Sequence, residues 1–440
     1  MIGKPVSNVN SMRKAVSRWA GLAGGRREDL HELKHIADAE TVTRYDEASE
    51  LLLRARELRI DKDADIAMMP LKADTLTVIF SDDHTQRRRI ENSLFTRAAL
   101  ERLEFDVLND ALDGRLAPVE SLTRPEKLDL LQLARFCLLP VTARLVGLCP
   151  DGSDQWWTEL SEYVRQFATA AAVQWKEGDA SEVREQSLAV AQRFDRGIFD
   201  TAWRTCLERV NEHDAGRIAR EDLPSNLITL LLLHLPGRPR DVVLREVILY
   251  LLASTDSSTM AIASTLRHLH EWISHHPGDV SQTQDFGFLQ RCVFEAIRLH
   301  PPPGLTRTAY NDLVLGSGRR IRAGQKVFID IPAVNRDEAV FGPDAASFNP
   351  HREVRKGVQP YGFGFGGGAH KCIGRPLAVS HDRHGPGTTP ADHIGAVVRI
   401  VHRIASMGYL IDDADPPALR AGWRQERYER FNITVGRTAA

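Results

Sequence analysis

The sequence predicts a mainly α-helical fold with small β-sheets, and three features support this class. From about residue 30 to residue 220, apolar residues recur every three to four positions, as in YDEASELLLRARELRI over residues 45–60. A long helical segment follows, from Asp241 to about Ile273. After the prolines at 301–303, short β-like pieces alternate with glycines and prolines. Because no repeat or low-complexity linker interrupts this order, we predict a loose polar arm over residues 1–30 and one domain over residues 31–440.

The helices of this domain follow from local patterns along the chain. The segment KLDLLQLARFCLLPVTARLVGL, residues 127–148, has the period of a helix. The Asp241–Ile273 helix would span on the order of 50 Å, and its VILYLLA stretch is apolar on every side, so we expect it in the middle of the protein. Phe286–Leu299 is predicted as a helix that the three prolines end, and helical periodicity returns at about Ala391–Met407.

Composition and charge place the chain among soluble globular proteins. It has 440 residues, 42% of them hydrophobic and 26% charged, and a net charge of −2, so we expect no nucleic-acid partner. The N-terminus lacks the apolar core of a signal peptide. No stretch reaches the roughly 18 apolar residues that span a bilayer, so we expect no membrane partner.

The cysteines indicate the compartment. Their number is odd, they are far apart and no CxxC pair occurs, which disfavours a disulfide framework and favours a reducing cytoplasm. The five are Cys137, Cys149, Cys206, Cys292 and Cys372.

Cys372 lies in a glycine-rich stretch, FGFGGGAHKCIG. The glycines allow tight turns and close approach to a flat ligand. The helix expected in IGRPLAV would lower the thiol pKa through its dipole and free N–H groups, and Phe365 offers an apolar cover. This pattern suits a thiolate bound to a soft metal centre. Two other interpretations are a plain buried cysteine and a dinucleotide-binding GxGxxG, although the polar HREVRKGVQPY before it is unlike a buried strand.

The spacing of Phe365, Gly368, Cys372 and Gly374, F-x-x-G-x-x-x-C-x-G, resembles the haem-binding loop of the cytochrome P450 family. The resemblance covers about residue 45 to the C-terminus and is most specific from residue 241 to 378. It implies the P450 fold, with haem b between the long central helix and the cysteine loop. Cys372 would be the axial iron ligand, in a loop shaped by Phe365 and Gly374.

Three side chains match a structural network of the family. Glu295 and Arg298 form ExxR on one helix face, and Arg352 follows in FNPHR. A surface salt bridge would be the alternative for an isolated ExxR. In the family order found here, the resemblance implies a buried network that holds the cysteine loop in place.

The long helix contains ASTDSST, residues 253–259, which resembles the oxygen-activating stretch of the family. Asp256 takes the acid position and Ser257 the alcohol position, so the two would relay protons for cleavage of the O–O bond. Ser254 replaces the usual glycine and Ser257 the usual threonine. An alternative interpretation is that the polar residues 256–258 form a solvated helix face. Their position in the middle of an apolar helix disfavours this interpretation.

Haem propionates need cationic partners, and the family positions for them are occupied. The side chains that the resemblance implies are His84, Arg88, Arg307 and His370. We expect the neighbouring Arg87 and Arg89 to be surface cations or contacts to a partner.

Two further segments call for interpretation. After IGRPLAVSH, the stretch DRHGPGTTPADHIG predicts a short helix followed by an inserted loop or a remodelled region, with His381 at a position where the family usually has glutamate. HLHEWISHH, residues 268–276, looks metal-binding, but Ser274 stands where HExxH requires histidine. We interpret it as a polar helix end.

The resemblance implies insertion of one oxygen atom into a C–H bond or alkene of a small apolar molecule, with natural-product tailoring as one role. Electrons would come from NAD(P)H through a reductase and a ferredoxin. Four basic side chains could form a docking face for an acidic ferredoxin, namely Lys371, Arg375, Arg355 and Lys356. The alternative is that they are scattered over a solvated surface. Substrate contacts are expected from residues 66–79, the middle of the long helix, residues 303–306 and the C-terminal strands. The alternatives are oxidative coupling, cyclisation or peroxide-driven oxidation on the same haem, and a non-catalytic relative that binds a ligand or a carrier-bound partner.

Overall fold

The computed structural model describes residues 38–54, 57–60, 69–120, 125–175, 181–385, 387–423 and 426–435. The arm predicted over residues 1–30, and the first part of the predicted substrate segment at 66–68, lie outside the described residues.

The described chain is mainly helical, as predicted. Its α-helices are α1 Tyr45–Leu53, α2 Ser81–Glu91, α3 Arg97–Arg102, α4 Asn109–Glu120, α5 Leu130–Val146, α6 Asp154–Ala171, α7 Ser181–Phe194, α8 Asp200–Asp214, α9 Leu227–His234, α10 Arg240–His275, α11 Phe286–Leu299, α12 Ile331–Val334, α13 Glu338–Phe341, α14 Arg375–Val379 and α15 Ala396–Ser406. A π-helical segment, Leu103–Leu108, joins α3 to α4.

Helix α10 runs through the centre, as its apolar composition predicts. It packs against α5, α6, α11 and α15, and Val247, Ile248 and Leu251 are buried there. Of the described helices, α10 has the length and composition to cross a membrane, but half of its most apolar stretch is buried inside the protein. We therefore interpret α10 as a core helix whose apolar surface other helices cover.

Helix α11 packs against α10 and has both predicted ends. Asp285 begins it, since its side chain accepts a hydrogen bond from the backbone N–H of Phe288 at 2.6 Å. The prolines that follow end it. Its residues are buried on almost every side, including the charged Glu295 and Arg298.

Small sheets lie beside the helices. The strands are β1 Glu40–Val42, β2 Leu58–Arg59, β3 Glu126–Asp129, β4 Leu305–Ala309, β5 Leu313–Val314, β6 Arg320–Ile321, β7 Lys326–Ile329, β8 Tyr409–Leu410, β9 Ala418–Leu419, β10 Tyr428–Arg430 and β11 Asn432–Val435. The largest described sheet has the order β1-β7-β4-β2. Its β4 strand pairs Arg307 with Val327 of β7, and this pairing fixes Arg307 beside the centre of the molecule.

The region after the cysteine contains a short helix and a loop, as predicted. Helix α14 ends at Val379, and the φ of 72° at the following Ser380 is in the left-handed region. The loop over residues 380–395 returns to its starting point, where the Ser380 hydroxyl donates to the carbonyl of His393 at 2.8 Å. At Gly395, a Cβ would lie 2.6 Å from the Ser380 nitrogen, so this closure requires glycine. Helix α15 then begins at Ala396, five residues later than predicted.

Candidate active site

A cavity of about 570 Å³ lies between α10, β4 and the cysteine loop. Most of the residues predicted for the site line it, namely Arg88, Asp256, Ser257, Arg307, Phe365, His370, Cys372 and Gly374. His84 stands behind this wall, with its ring centre 4.1 Å from that of His370. The fold therefore brings together residues from four separate parts of the chain.

The cysteine loop is held close to its neighbours at glycines. A Cβ on Gly368 would lie 1.8 Å from the carbonyl oxygen of Leu52, and one on Gly364 would lie 2.4 Å from the Ile297 side chain. The Cys372 N–H donates to the carbonyl of Phe365 at 2.8 Å, which closes the loop. These glycines let the loop approach α1 and α11, so Cys372 faces the cavity.

Cys372 is exposed and lines this cavity. Burial raises its pKa, and this exceeds the lowering by backbone hydrogen bonds from Gly374 and Arg375 and by the charge of Arg88. The prediction of a lowered thiol pKa is therefore wrong for the protein without a metal, because desolvation outweighs the N–H groups of a five-residue helix. A bound metal cation would supply the missing positive charge.

Four basic side chains converge beside the thiol. Burial lowers the pKa of His370 to about 3, and the charges of His84, Arg307 and Arg88 add to this effect. Burial also lowers the pKa of Arg88. The buried Nε2 of His84 has no hydrogen-bond partner among the described residues. A crowded group of basic side chains with an unpaired donor or acceptor fits an anionic ligand.

These features fit haem b. Cys372 offers a soft sulfur ligand on the cavity wall, and the four basic side chains offer partners for two carboxylates. The residues that would hold the group are His84, Arg88, Arg307, His370 and Cys372.

The predicted Glu–Arg–Arg network is present and buried. Glu295 accepts two hydrogen bonds from Arg298, at 2.7 and 2.8 Å, and Arg352 Nε lies 3.2 Å from both of its oxygens. Asn335 links this network to the cysteine loop. Its Oδ1 accepts from the N–H of Phe363 at 2.8 Å, and its Nδ2 donates to the carbonyl of Arg298 at 3.0 Å. Sequence reasoning missed this asparagine, since no motif marks it.

The acid and alcohol of α10 both face the cavity, with partners that the sequence did not indicate. Asp256 accepts from Arg427 Nη2 at 2.6 and 2.5 Å. The Ser257 hydroxyl donates to the carbonyl of Ala253. Ser254, at the position of the usual glycine, is hydrogen-bonded to Thr142 at 2.8 Å. The polar groups of Ser254, Asp256 and Ser257 are therefore all held by other groups of the protein.

The prediction that Arg87 is a surface cation or a contact to a partner is wrong. It is fully buried, not a surface cation, and its guanidinium pairs with Glu246 and donates to the carbonyl of Asp74. Arg89 is exposed, as expected.

Glu246 is a further residue that the sequence analysis missed. Its carboxylate accepts from the N–H of Leu76 at 3.1 and 3.2 Å, and Leu76 and Thr77 line the cavity. Burial and the like charge of Glu91 raise the pKa of Glu246 to about 8. A glutamate at the start of the apolar stretch of α10 was a signal that could have identified it.

The histidine-rich end of α10 is only partly the polar end that we predicted. His275 and His276 are exposed, but His268 is largely buried against His300. No group of three or more metal-binding side chains occurs in the part of the chain that the structure describes.

Comparisons with known proteins agree with this architecture. Residues 207–381 match the family model described as Cytochrome P450. The pisatin demethylase of Fusarium vanettenii is 32% identical over 146 residues, 29% of each chain. Cytochrome P450 94B3 of Arabidopsis thaliana is 26% identical over 339 residues, 68% of this chain and 65% of that protein. The chain thus spans less than two thirds of the length of each of these curated relatives.

Solved structures show the same fold. The crystal structure of P450BioI, in complex with an acyl carrier protein ligated to hexadec-9Z-enoic acid, superposes with a TM-score of 0.68 at 14% identity, over 94% of this chain and 100% of that chain. Proteins of the matched family use haem b, which the cavity residues fit. The match of residues 207–381 to the family model and the shared architecture therefore show that this chain is similar to cytochrome P450 proteins and has their fold.

Proposed function

We propose that this protein is a haem-thiolate monooxygenase that inserts one atom of dioxygen into a C–H bond or alkene of a small apolar substrate. The observation that carries the proposal is a single cavity lined by a cysteine thiol, basic side chains and the Asp256–Ser257 pair. Bound haem would supply the redox chemistry with dioxygen. The chain would supply the ligand sulfur, the binding of the propionates and the protons.

The proton-handling residues follow from the contacts of α10. Arg427 holds the Asp256 carboxylate at the cavity wall. Ser257 presents a hydroxyl whose present acceptor is the carbonyl one helical turn before it. Rotation of this hydroxyl towards the cavity would let it accept a proton from water near Asp256 and donate one into the cavity. This role requires that the ion pair with Arg427 opens or that Arg427 moves with it.

The cavity walls support an apolar substrate. Side chains of Leu138, Val141, Leu145, Leu249 and Leu305 line it. Part of the volume would be taken by haem, so the substrate would be a small molecule. Natural-product tailoring is the role that we propose for this chemistry.

We further propose that electrons come from NAD(P)H through a reductase and a ferredoxin in the cytoplasm. Arg355, Lys356 and Lys371 are exposed and would attract an acidic partner. Arg375 is half-buried and donates to the carbonyl of Ser380 at 3.1 Å, so it would contribute less to docking. The five described cysteines are all free, in keeping with a reducing compartment.

The first test is the absorption spectrum of the reduced protein with carbon monoxide. We expect a strongly red-shifted Soret band that is lost in Cys372→Ala and kept in Cys149→Ala, a control cysteine that does not line the cavity. A spectrum without haem, or one that is the same in wild type and Cys372→Ala, would disprove the thiolate assignment.

Peroxide-driven oxidation on the same haem is the second candidate. The observation that favours it is the closed ion pair of Asp256 with Arg427, which limits proton delivery from the acid. Substrate conversion with hydrogen peroxide but not with NAD(P)H and any ferredoxin system would support this candidate over the first.

A further inference from the structure

One segment of the cavity wall lies between regular elements and is held by side chains of two helices. Lys72, Leu76 and Thr77 line the cavity. They belong to residues 72–77, which we name the wall segment and which fall within the range from which substrate contacts are expected. Residues 73–77 form turns and belong to no helix or strand. The position of Leu76 and Thr77 therefore depends on contacts with other parts of the chain.

Two buried side chains bind the backbone of the wall segment. The Glu246 carboxylate accepts from the N–H of Leu76 at 3.1 and 3.2 Å. Arg87 donates to the carbonyl of Asp74 and, from its other terminal nitrogen, to Glu246. The side chains of Glu246 and Arg87 have no exposed surface. Because water cannot replace a lost partner there, the pair fixes the Asp74 carbonyl and the Leu76 N–H relative to α10 and α2.

The backbone between these two points has a conformation that needs support. The φ of Asp74 is 58°, in the left-handed region that residues other than glycine seldom adopt. Such a conformation persists where the surrounding contacts hold it. The Thr75 hydroxyl donates to the carbonyl of Lys72 at 2.7 Å, and Arg245 Nε donates to the carbonyl of Ala73 at 2.7 Å. The wall segment is therefore held in one conformation at consecutive residues.

The two buried side chains also join the wall segment to the rest of the site. Arg87 directly precedes Arg88, one of the four basic side chains beside the thiol. Glu246 lies one helical turn before Tyr250, which lines the cavity and donates to Glu91 at 2.6 Å. The wall segment, the basic side chains and α10 are therefore held in one arrangement around the cavity.

The charges of this buried group decide which substitution can test it. Arg87 faces two carboxylates, because its Nε lies 3.5 Å from Glu91 Oε1 in addition to its contact with Glu246. Removal of the Glu246 carboxylate would leave Arg87 paired with Glu91, so no buried charge would lose its only partner. The hydrogen bond to Leu76 can therefore be removed without an unpaired charge.

We propose that Glu246 and Arg87 form a clamp that positions Leu76 and Thr77, and that this clamp determines which substrates the cavity accepts. This inference deepens the proposed monooxygenase function and rests on it. Neither clamp residue lines the cavity, so both are positioning residues that act through the wall segment. A wall that is already ordered binds a molecule without the entropy cost of ordering it. The clamp therefore favours apolar substrates large enough to touch the wall segment over smaller ones.

The first readout requires neither haem nor turnover. Hydrogen exchange, measured by mass spectrometry on the whole chain, compares a peptide that contains residues 72–79 with one from α11. In Glu246→Leu, the first peptide should exchange faster by roughly tenfold or more, whereas the α11 peptide should exchange as in wild type. Glu246→Gln should behave like wild type, because an oxygen at the position of Oε2 can accept from both Leu76 and Arg87.

Two further variants complete this design. Glu271→Gln is the matched control, since Glu271 is near the other end of α10, where it pairs with Arg267 at 3.2 Å. It should leave the exchange of both peptides unchanged. Should Glu246→Leu fail to fold, Glu246→Met serves in its place, because an unbranched side chain adapts more easily to a buried position.

The second readout is ligand binding to the haem-loaded protein, followed by the shift of the Soret band. The probes are imidazole and 4-phenylimidazole, which differ by one apolar ring. In Glu246→Leu, the Kd of 4-phenylimidazole should rise by roughly fivefold or more, while that of imidazole should stay within roughly twofold. Glu246→Gln and Glu271→Gln should keep both values. A role of Glu246 in fold stability alone would not change the ratio of the two dissociation constants.

The outcomes separate this inference from the proposed function. Exchange of residues 72–79 in Glu246→Leu at the wild-type rate, or a ratio of dissociation constants equal to that of Glu271→Gln, would overturn the clamp. Equal acceleration in the α11 peptide would also overturn it, since Glu246 would then support the whole fold. Absence of turnover in wild type with both NAD(P)H and peroxide would overturn the proposed function, and the exchange rates would then decide whether the clamp orders the wall segment.

Discussion

Asp256 and Arg427 meet at the cavity wall, and their contact sets what the acid of α10 can do. The side chains are 16% and 11% exposed, so solvent screens their charges weakly. The ion pair therefore holds the Asp256 carboxylate in one orientation at the cavity wall. In the proposed function, Asp256 would have to exchange Arg427 for a proton donor.

Asp256→Asn should cut NAD(P)H-driven turnover by about 100-fold, because an amide neither accepts nor releases the proton that a carboxylate carries. Peroxide-driven turnover should fall much less, since peroxide brings its own protons to the reaction. The measurement is product formation per haem in both assays, with haem content checked by the carbon monoxide spectrum.

Asp415→Asn is the matched control for this change. Asp415 also forms ion pairs, with Lys127 and Arg430, but it does not line the cavity. Equal losses in the two assays for Asp256→Asn, or an equal effect of Asp415→Asn, would contradict the proton-relay role of Asp256.

At the scale of elements, the loop over residues 380–395 is held on a buried carboxylate. Glu104, in the π-helical segment between α3 and α4, accepts from Arg399 Nε at 2.5 Å and from His393 Nδ1. It also accepts from the N–H groups of Ile394 at 3.2 Å and Gly395 at 3.0 Å. One side chain thus satisfies the end of the loop and the first turn of α15.

Glu104→Gln should destabilise the protein by about 3–5 kcal/mol, because it leaves the buried Arg399 without a charged partner. Urea unfolding at pH 7 measures this change. Asp106→Asn, an exposed carboxylate two residues away, should leave the unfolding free energy nearly unchanged.

The same carboxylate gives a pH dependence with a definite sign. Burial raises the pKa of Glu104, but hydrogen bonds from His393 and the charges of Arg399 and His393 outweigh it, so the net pKa is lowered. An acid whose pKa is lower in the folded state stabilises the fold above its unfolded pKa, about 4.3, and loses this contribution as pH falls through the folded value. The stability difference between wild type and Glu104→Gln should therefore be full at pH 6 and shrink below about pH 4. A difference that stays constant from pH 6 to pH 3 would contradict the ionised state of Glu104.

At the scale of the whole molecule, local patterns predicted the elements and the motif residues. The bounds of α10 agree within two residues and those of α11 at both ends, because apolar period and prolines act locally. The residues of the cysteine loop and the Glu–Arg–Arg network follow from fixed spacings. Sequence spacing did not predict the side-chain pairings that position Asp256, the cavity wall and the inserted loop. They join residues 171, 159 and 289 positions apart, in Asp256–Arg427, Arg87–Glu246 and Glu104–His393, and no local period records such contacts.

Another contact of this kind connects the Glu–Arg–Arg network to the cysteine loop through Asn335. Arg298 Nη1 donates to the carbonyl of Asn335 at 2.8 Å, and the Asn335 amide in turn bonds Arg298 and Phe363. A Cβ on Gly362 would lie 2.2 Å from Asn335 Oδ1, so the loop is seated directly on this side chain. The Asn335 amide therefore links the ion pairs to the cysteine loop. Mutation can separate the effect of the ion pairs from the effect of the amide.

Asn335→Ala should weaken haem retention more than it weakens the fold. It leaves the N–H of Phe363 and one bond to the Arg298 carbonyl unsatisfied, at about 1–3 kcal/mol for each buried group. Glu295→Gln, which strips the charge from between Arg298 and Arg352, should cost about 3–5 kcal/mol. Urea unfolding measures the stability of the fold, and the rate of haem transfer to excess apomyoglobin measures haem retention. Asn211→Ala, exposed on α8, is the control. Faster haem loss in Asn335→Ala at a stability above that of Glu295→Gln would assign the seating of the loop to the amide, whereas haem loss that follows stability across all three variants would mean that Asn335 only supports the fold.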